Sequence, residues 1–132
     1  MEPPRGKVDV ILDTDTYNEI DDQFAIAYAM LSDNINLLAL TAAPFENHRS
    51  KDAADGMEKS YAEILRLLGK MNISPEGLVY RGSDKIMPDM RTPVDSPAAR
   101  DLIERAMARS GDDPLYVIAL GAITNVSSAI LL

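Results

Sequence analysis

Val8-Asp9-Val10-Ile11-Leu12-Asp13-Thr14-Asp15-Thr16-Tyr17-Asn18-Glu19-Ile20-Asp21-Asp22-Gln23-Phe24 decides the fold. Its first five residues are an apolar, β-branched run that reads as a buried strand. An acidic loop follows without a break, and Phe24, Tyr28 and Leu31 then recur at helical spacing, with Ala25 and Ala27 between, until Ser32-Asp33-Asn34 ends the pattern. A strand therefore runs through an acidic loop into a helix.

The same alternation continues outward from this unit. Ile35 to Ala43, with Leu37-Leu38-Ala39-Leu40, reads as a second strand ending at Pro44 and the polar loop Glu46-Asn47-His48-Arg49-Ser50. A long helix with the stripe Met57, Tyr61, Ile64, Leu65 and Leu68 follows, and Gly69 is expected to end it. Leu78-Val79-Tyr80 is a short third strand, and Ser96-Pro97 fits an N-cap with proline at the first helical position, opening a helix through Ala99, Leu102, Ile103 and Ala106. Leu115 to Leu120 is a fourth strand, turned by Gly121-Ala122-Ile123-Thr124-Asn125 into a last apolar helix. Strands alternating with helices predict an α/β fold, an open and mostly parallel sheet with helices on both faces. Such sheets bind ligands beyond the carboxyl ends of their strands, where the acidic loop and the Gly121 to Asn125 turn both begin.

The composition narrows the chemistry. The chain of 132 residues allows one domain, and its 46% hydrophobic and 26% charged content suits a packed globular protein. With no cysteine, disulfides, thiolate metal sites and a cysteine nucleophile are excluded. No run approaches the roughly 18 apolar residues of a membrane span, and Met1 to Lys7 lacks the apolar run of a signal peptide, so a cytoplasmic protein without membrane contact is expected. The net charge is −8, and between Val8 and Asn47 there is no Lys or Arg at all. Eight of the 21 acidic residues lie there, which leaves the rest of the chain electrically balanced. Nucleic acid is excluded as a partner of this segment, because phosphates need a cationic footprint.

Asp13, Asp15, Asp21 and Asp22 leave one strand end and enter one helix, so their carboxylates are expected to converge. Carboxylates so placed repel unless a cation sits among them or a proton is taken up. A hard divalent ion suits such oxygens, calcium or magnesium rather than zinc, since no imidazole or thiolate is local. The plainer reading makes Asp21 or Asp22 an N-cap and Asp13 and Asp15 turn residues, but capping needs one acid and not four. An EF-hand loop counted from Asp13 would place Tyr17 and Phe24 at its fifth and twelfth positions, where oxygen ligands belong, and so fails. A magnesium-dependent phosphatase of the haloacid-dehalogenase type would use Asp13-Thr14-Asp15 as nucleophile and acid but gives no reason for the second acid pair. Asn18 and Glu19 read as loop residues, lone His48 as a solvated one, and Thr124-Asn125 alone as a helix start. Glu58, Lys59, Glu63 and Arg66 read as a solvated helix face, and the methionines as core filler.

The stretch also resembles the opening of the nucleoside hydrolases of inosine-uridine-preferring type, a strand followed by D-x-D-P-G-x-D-D and an apolar helix. Val10 to Asp15 and Ile20-Asp21-Asp22 match its ends, while Thr16-Tyr17-Asn18-Glu19 replaces Pro-Gly and is two residues longer. Leu37 to Thr41, Leu78 to Gly82, and Leu120-Gly121-Ala122-Ile123-Thr124-Asn125 are similar to that family's second strand, third strand and G-P-L-T-N turn. The resemblance implies a Rossmann-like core, here its amino-terminal part within a longer catalytic domain, and hydrolysis of ribonucleosides to ribose and free base with Ca2+. It makes Asp15 the general base and a metal ligand, Asp22 a bidentate ligand, and Asp13 a support for the metal. Thr124 would offer its backbone carbonyl to the metal, and Asp21 would bind a ribose hydroxyl. The family's ribose-contacting Asn falls at Glu46 or Asn47, and Asn47 supplies the amide. The remaining alternative is a non-catalytic metal- or ribose-binding fragment. An apolar last helix beside an open sheet edge leads us to expect a homo-oligomer.

Overall fold

A computed structural model describes Pro4 and residues 6–132; most of the lead-in that was read for a signal run lies outside them. Four strands, β1 (Val8–Thr14), β2 (Ile35–Ala42), β3 (Val79–Arg81) and β4 (Tyr116–Ala119), alternate with α1 (Asp21–Leu31), α2 (Ala53–Lys70), α3 (Pro97–Met107) and α4 (Thr124–Leu131). All strand pairs are parallel, in the order β3-β2-β1-β4. The chain steps from β1 outward to β3, then returns to the other side of β1 as β4. The strand order thus reverses between β1 and β4, the topological switch point at which sheets of this kind bind ligands. This is the open α/β sheet that the alternating pattern predicts.

Period-two alternation in the strands divides the core between two faces. Leu12, Leu40 and Ala42 pack against Ile26 and Ala29 of α1 and Met57, Ile64 and Leu68 of α2. Ile11 and Ala39 face the other way, toward Ala99 and Leu102 of α3 and Ala129 of α4. Full burial of side chains such as Ile64 and Leu40 contributes about 1.5–3 kcal/mol each. On β2 the register slips between Leu37 and Ala39, leaving Leu38 without a partner on β1. No helix among the described residues is long and apolar enough to cross a membrane.

Several local expectations are met and several are corrected. Ser96 caps α3 by accepting from the Ala99 N–H at 3.1 Å, with Pro97 behind it. α2 runs through Gly69 to Lys70, and the left-handed residue after it is Asn72, with φ 56°. Asparagine tolerates that conformation because its short polar side chain can bond locally. Glu63 is buried rather than solvated, held by Arg66 and by the Gln23 amide of α1 at 2.8 Å. Lys59 pairs with Asp55 one turn earlier in α2. Met57 is core, but Met90 and Met107 are exposed.

The largest departure is in α1. Its apolar stripe faces outward, with Ile20 72%, Phe24 69%, Tyr28 72% and Leu31 76% exposed, while Asp22, Ile26 and Ala29 face the sheet. Thr14 at the end of β1 donates to the Asp22 carboxylate at 2.5 Å and fixes the rotation of the helix. Phe24 lies two residues on, roughly 200° around a helix of 3.6 residues per turn, and is carried to the far side. A polar anchor therefore outweighs the apolar pattern.

Candidate functional site: the acidic crevice beyond β1 and β4

Asp13 and Thr14 end β1 and point to opposite faces of the sheet. Asp13 is fully buried, and its Oδ1 accepts from Thr41 Oγ1 of β2 at 2.6 Å and from Asn125 Nδ2 of α4 at 2.8 Å. Its Oδ2 is buried with no partner. Burial pushes the Asp13 carboxyl up to about 6 against its two hydrogen bonds, and the charge of Asp15 adds to the rise. Asn125 uses its whole amide here. Nδ2 also reaches the Ala42 carbonyl at 3.1 Å, and Oδ1 accepts from the Ser83 N–H and hydroxyl at 2.7 and 2.9 Å. One buried side chain thus ties the ends of β1 and β2 and the β3 exit loop to α4. A Cβ on Gly82 would lie 1.9 Å from the Ala42 carbonyl oxygen, so only glycine lets that loop approach.

On the other face, Thr14 meets Thr16 at 2.8 Å and holds Asp22. The Asp22 carboxyl is also pushed up to about 6, first by burial and then by the neighbouring Asp15 and Asp21 carboxylates. Asp15, half-buried in the loop, accepts from Asn18 Nδ2 at 3.0 Å. Gly121, just after β4, presses on the other side: a Cβ there would stand 2.6–2.9 Å from the Asp15 carboxylate atoms. The Asp13 carbonyl accepts from the Leu120 N–H at 2.9 Å and joins the two sides of the crevice.

Asp13, Asp15 and Asp22 are thus electrostatically linked, and Asp21 adds its charge from an exposed position. Among the described residues, no three His, Asp or Glu side chains form a ready cage for a metal ion. Neither Asp21 nor Asp22 caps α1; Ile20 occupies the cap position with no side-chain bond. Thr124 is buried as the first residue of α4, and Ile123, not Thr124 or Asn125, precedes the helix at its cap. A first-turn carbonyl accepts along the helix axis, so the end of α4 nearest the crevice offers N–H groups. The positive ends of α1 and α4 each stabilise a nearby carboxylate by about 0.3–1 kcal/mol. That is less than the burial penalty, and Asp13 and Asp22 stay raised. Asn47 and His48 lie exposed in the loop after β2, where Asn47 donates to Asn18 Oδ1 at 2.6 Å.

Thr41, Asn125, Asn18 and Gly121 are the contributors that residue-type reasoning passed over. Thr41 and Gly121 stand at strand carboxyl ends, and Asn125 within the Gly121 to Asn125 turn, so position relative to the switch point is the signal that finds them. Asn18 carries no such signal. No protein-family model matches the chain, and no curated protein matches it. The resemblance to nucleoside hydrolases rests on the quoted motifs.

Proposed function

We propose that this chain carries the amino-terminal crevice of a calcium-dependent nucleoside N-ribohydrolase. The observation that carries the reading is Asp13 Oδ2, a buried carboxylate oxygen with no partner among the described residues, at a strand end where Asp15 adds its charge to both Asp13 and Asp22. An orphaned charge of this kind is costly unless a positive group completes it. The donors are hard oxygens, which suit calcium, with Asp15 and Asp22 as its ligands and Asp13 behind them; the Thr124 carbonyl, which the resemblance would add, is directed along α4. Calcium bound there would orient the ribose diol and polarise a water. Asp15 takes the proton of the attacking water, Asp21 holds a ribose hydroxyl from its exposed place at the start of α1, and Asn47 adds a contact from the next loop. The anionic floor stabilises the positive charge that develops on ribose as the N-glycosidic bond breaks.

The burial of Asp13 favours this over a phosphatase in which Asp13 attacks phosphorus, because a nucleophile needs an oxygen that substrate can reach. Exposed Ile130, Leu131 and Leu132, the α1 stripe and the β4 edge support self-association. A panel of ribonucleosides and phosphate monoesters tests the reaction. In the whole catalytic domain of which this is the proposed amino-terminal part, calcium-dependent release of free base is expected, with little or no turnover by the 132 residues alone, and phosphate release without base release would overturn the reading. Calorimetry tests the metal: Asp22→Asn should weaken calcium binding more than Asp33→Asn, and equal affinities would return the crevice to a purely structural role.

A further inference from the structure

Three amides between the loop after β2 and Asp15 are arranged in one direction only. The Arg49 backbone N–H can only donate, so the Asn47 atom 2.9 Å from it is Oδ1. Asn47 Nδ2 must then face Asn18, at 2.6 Å, and the atom it meets is Oδ1. Asn18 Nδ2 in turn faces Asp15 Oδ2, at 3.0 Å. Flipping either side-chain amide would set donor against donor or acceptor against acceptor. The far end of the chain is anchored. Ser50 Oγ accepts from the Asn47 N–H and donates to the Phe45 carbonyl, both at 3.1 Å, and Lys59 of α2 donates to the Arg49 carbonyl at 2.7 Å. At the near end the Asn18 N–H closes a turn onto the Asp15 carbonyl at 2.7 Å, which sets both residues in one rigid piece.

We propose that Asn18 is a positioning residue of the acidic crevice, passing the fixed orientation of Asn47 to Asp15 and committing Asp15 Oδ2, so that Oδ1 is the oxygen offered to a divalent cation. This rests on the cation reading above and assigns a task to Asn18 of the lengthened loop. Among the described residues, Asn18 is the one side chain that donates to the Asp15 carboxylate. Asp15 lies in the space a side chain at Gly121 would fill, so it packs directly on the backbone after β4. Without Asn18 the carboxylate keeps its charge but loses its direction, and the neighbouring Asp22 charge is then free to push it away.

Calcium titration of the full chain, with nitrogen-15 spectra of the side-chain amides, tests the relay. Asn18→Ala should weaken calcium affinity about tenfold, as loss of a residue that orients a metal ligand does, with little change in thermal midpoint. Asn47→Ala should weaken it by a smaller factor. Because the groups act in series, the double variant should bind no worse than Asn18→Ala alone. Unchanged affinity in Asn18→Ala, or additive losses in the double variant, would overturn the proposal. If the unaltered chain binds no calcium, the cation reading falls and the spectra judge the relay alone. Asp15→Asn should then move the Asn47 side-chain amide signal in the parent but not in Asn18→Ala; an Asn47 signal indifferent to Asp15 rejects the relay.

Discussion

The two ends of β1 carry the same residue in opposite circumstances. At its start, Asp9 accepts from the Asn36 amide of β2 at 2.6 Å and pairs with Arg109 at 2.6 Å, and these hold its carboxyl below the usual value. At its end, Asp13 also accepts from a threonine and an asparagine, but burial wins and its carboxyl rises to about 6. Both aspartates have an amide donor. The difference is burial first, with the charge of Asp15 added, at the carboxyl end, against a partly exposed site beside a guanidinium at the amino end. Neutral donors orient a buried carboxylate without supplying the charge that would stabilise it. The amino end of the strand has its countercharge in Arg109; at the carboxyl end the proposed calcium ion would supply it.

The largest test of that contrast is catalytic. Asp15→Asn should lower nucleoside hydrolysis by roughly 10²–10⁴-fold, the range for loss of a general base, while Asp9→Asn leaves the rate unchanged. Gly121→Ala, which drives a methyl group onto the Asp15 carboxylate, should lower calcium affinity by about 10-fold or more without touching a charged group. Equal rates for Asp15→Asn and the parent would remove Asp15 from the chemistry.

Next in size is the stability of the metal-free chain. Raising the Asp13 carboxyl from 3.8 to about 6 corresponds to a burden of about 3 kcal/mol at neutral pH. Asp13→Asn removes that charge but leaves a buried amide N–H unpaired at a cost of about 1–3 kcal/mol, so a gain of up to about 2 kcal/mol is expected at pH 7. The sign of the pH dependence follows. The folded chain holds the Asp13 proton more tightly than the unfolded chain, so this contribution to stability is full below pH 3.8 and is lost as the pH rises to about 6. Denaturation at pH 4.5 and 6.5 should show the fall in the parent and a smaller one, the share of Asp22, in Asp13→Asn. Calcium should reverse it, binding more weakly below about pH 6 and releasing protons as it binds, which calorimetry in buffers of different ionisation enthalpy measures.

How much of this was legible in the sequence depends on the range over which each feature is decided. The strands and helices come from patterns within a dozen residues, and all eight elements are where those patterns place them. The approach of Asp13, Asp15 and Asp22 is legible for the same reason, since they lie within ten residues spanning the end of β1, one loop and the start of α1. The face of α1 is not. Phe24, Tyr28 and Leu31 satisfy the helical period, yet Ile26 and Ala29 take the core and Thr14 holds Asp22 on the same side, which leaves the stripe to solvent. The Asn125 clasp joins residues 42 to 112 positions apart, and Glu63 depends on Gln23 in another helix. Such partners are chosen by tertiary approach, which periodicity does not encode.

The smallest effect belongs to the completed end of the strand. Asp9 is partly exposed, so screening limits its pair with Arg109 to about 1 kcal/mol or less. Its lowered carboxyl gives a stabilisation present above the unfolded value and lost as the pH falls through its own lower value, the reverse of Asp13. Asp9→Asn should therefore destabilise the chain slightly at pH 7, and 1 M sodium chloride should shrink the difference, because the screening length falls to about 3 Å. The same salt should leave the difference between parent and Asp13→Asn nearly intact, since the Asp13 penalty arises from burial, while millimolar calcium should change that difference and leave the Asp9 difference alone. Sodium chloride moving both variants equally would mean that the two ends of β1 are electrostatically alike, and the case for a cation beyond Asp13 would lose its footing.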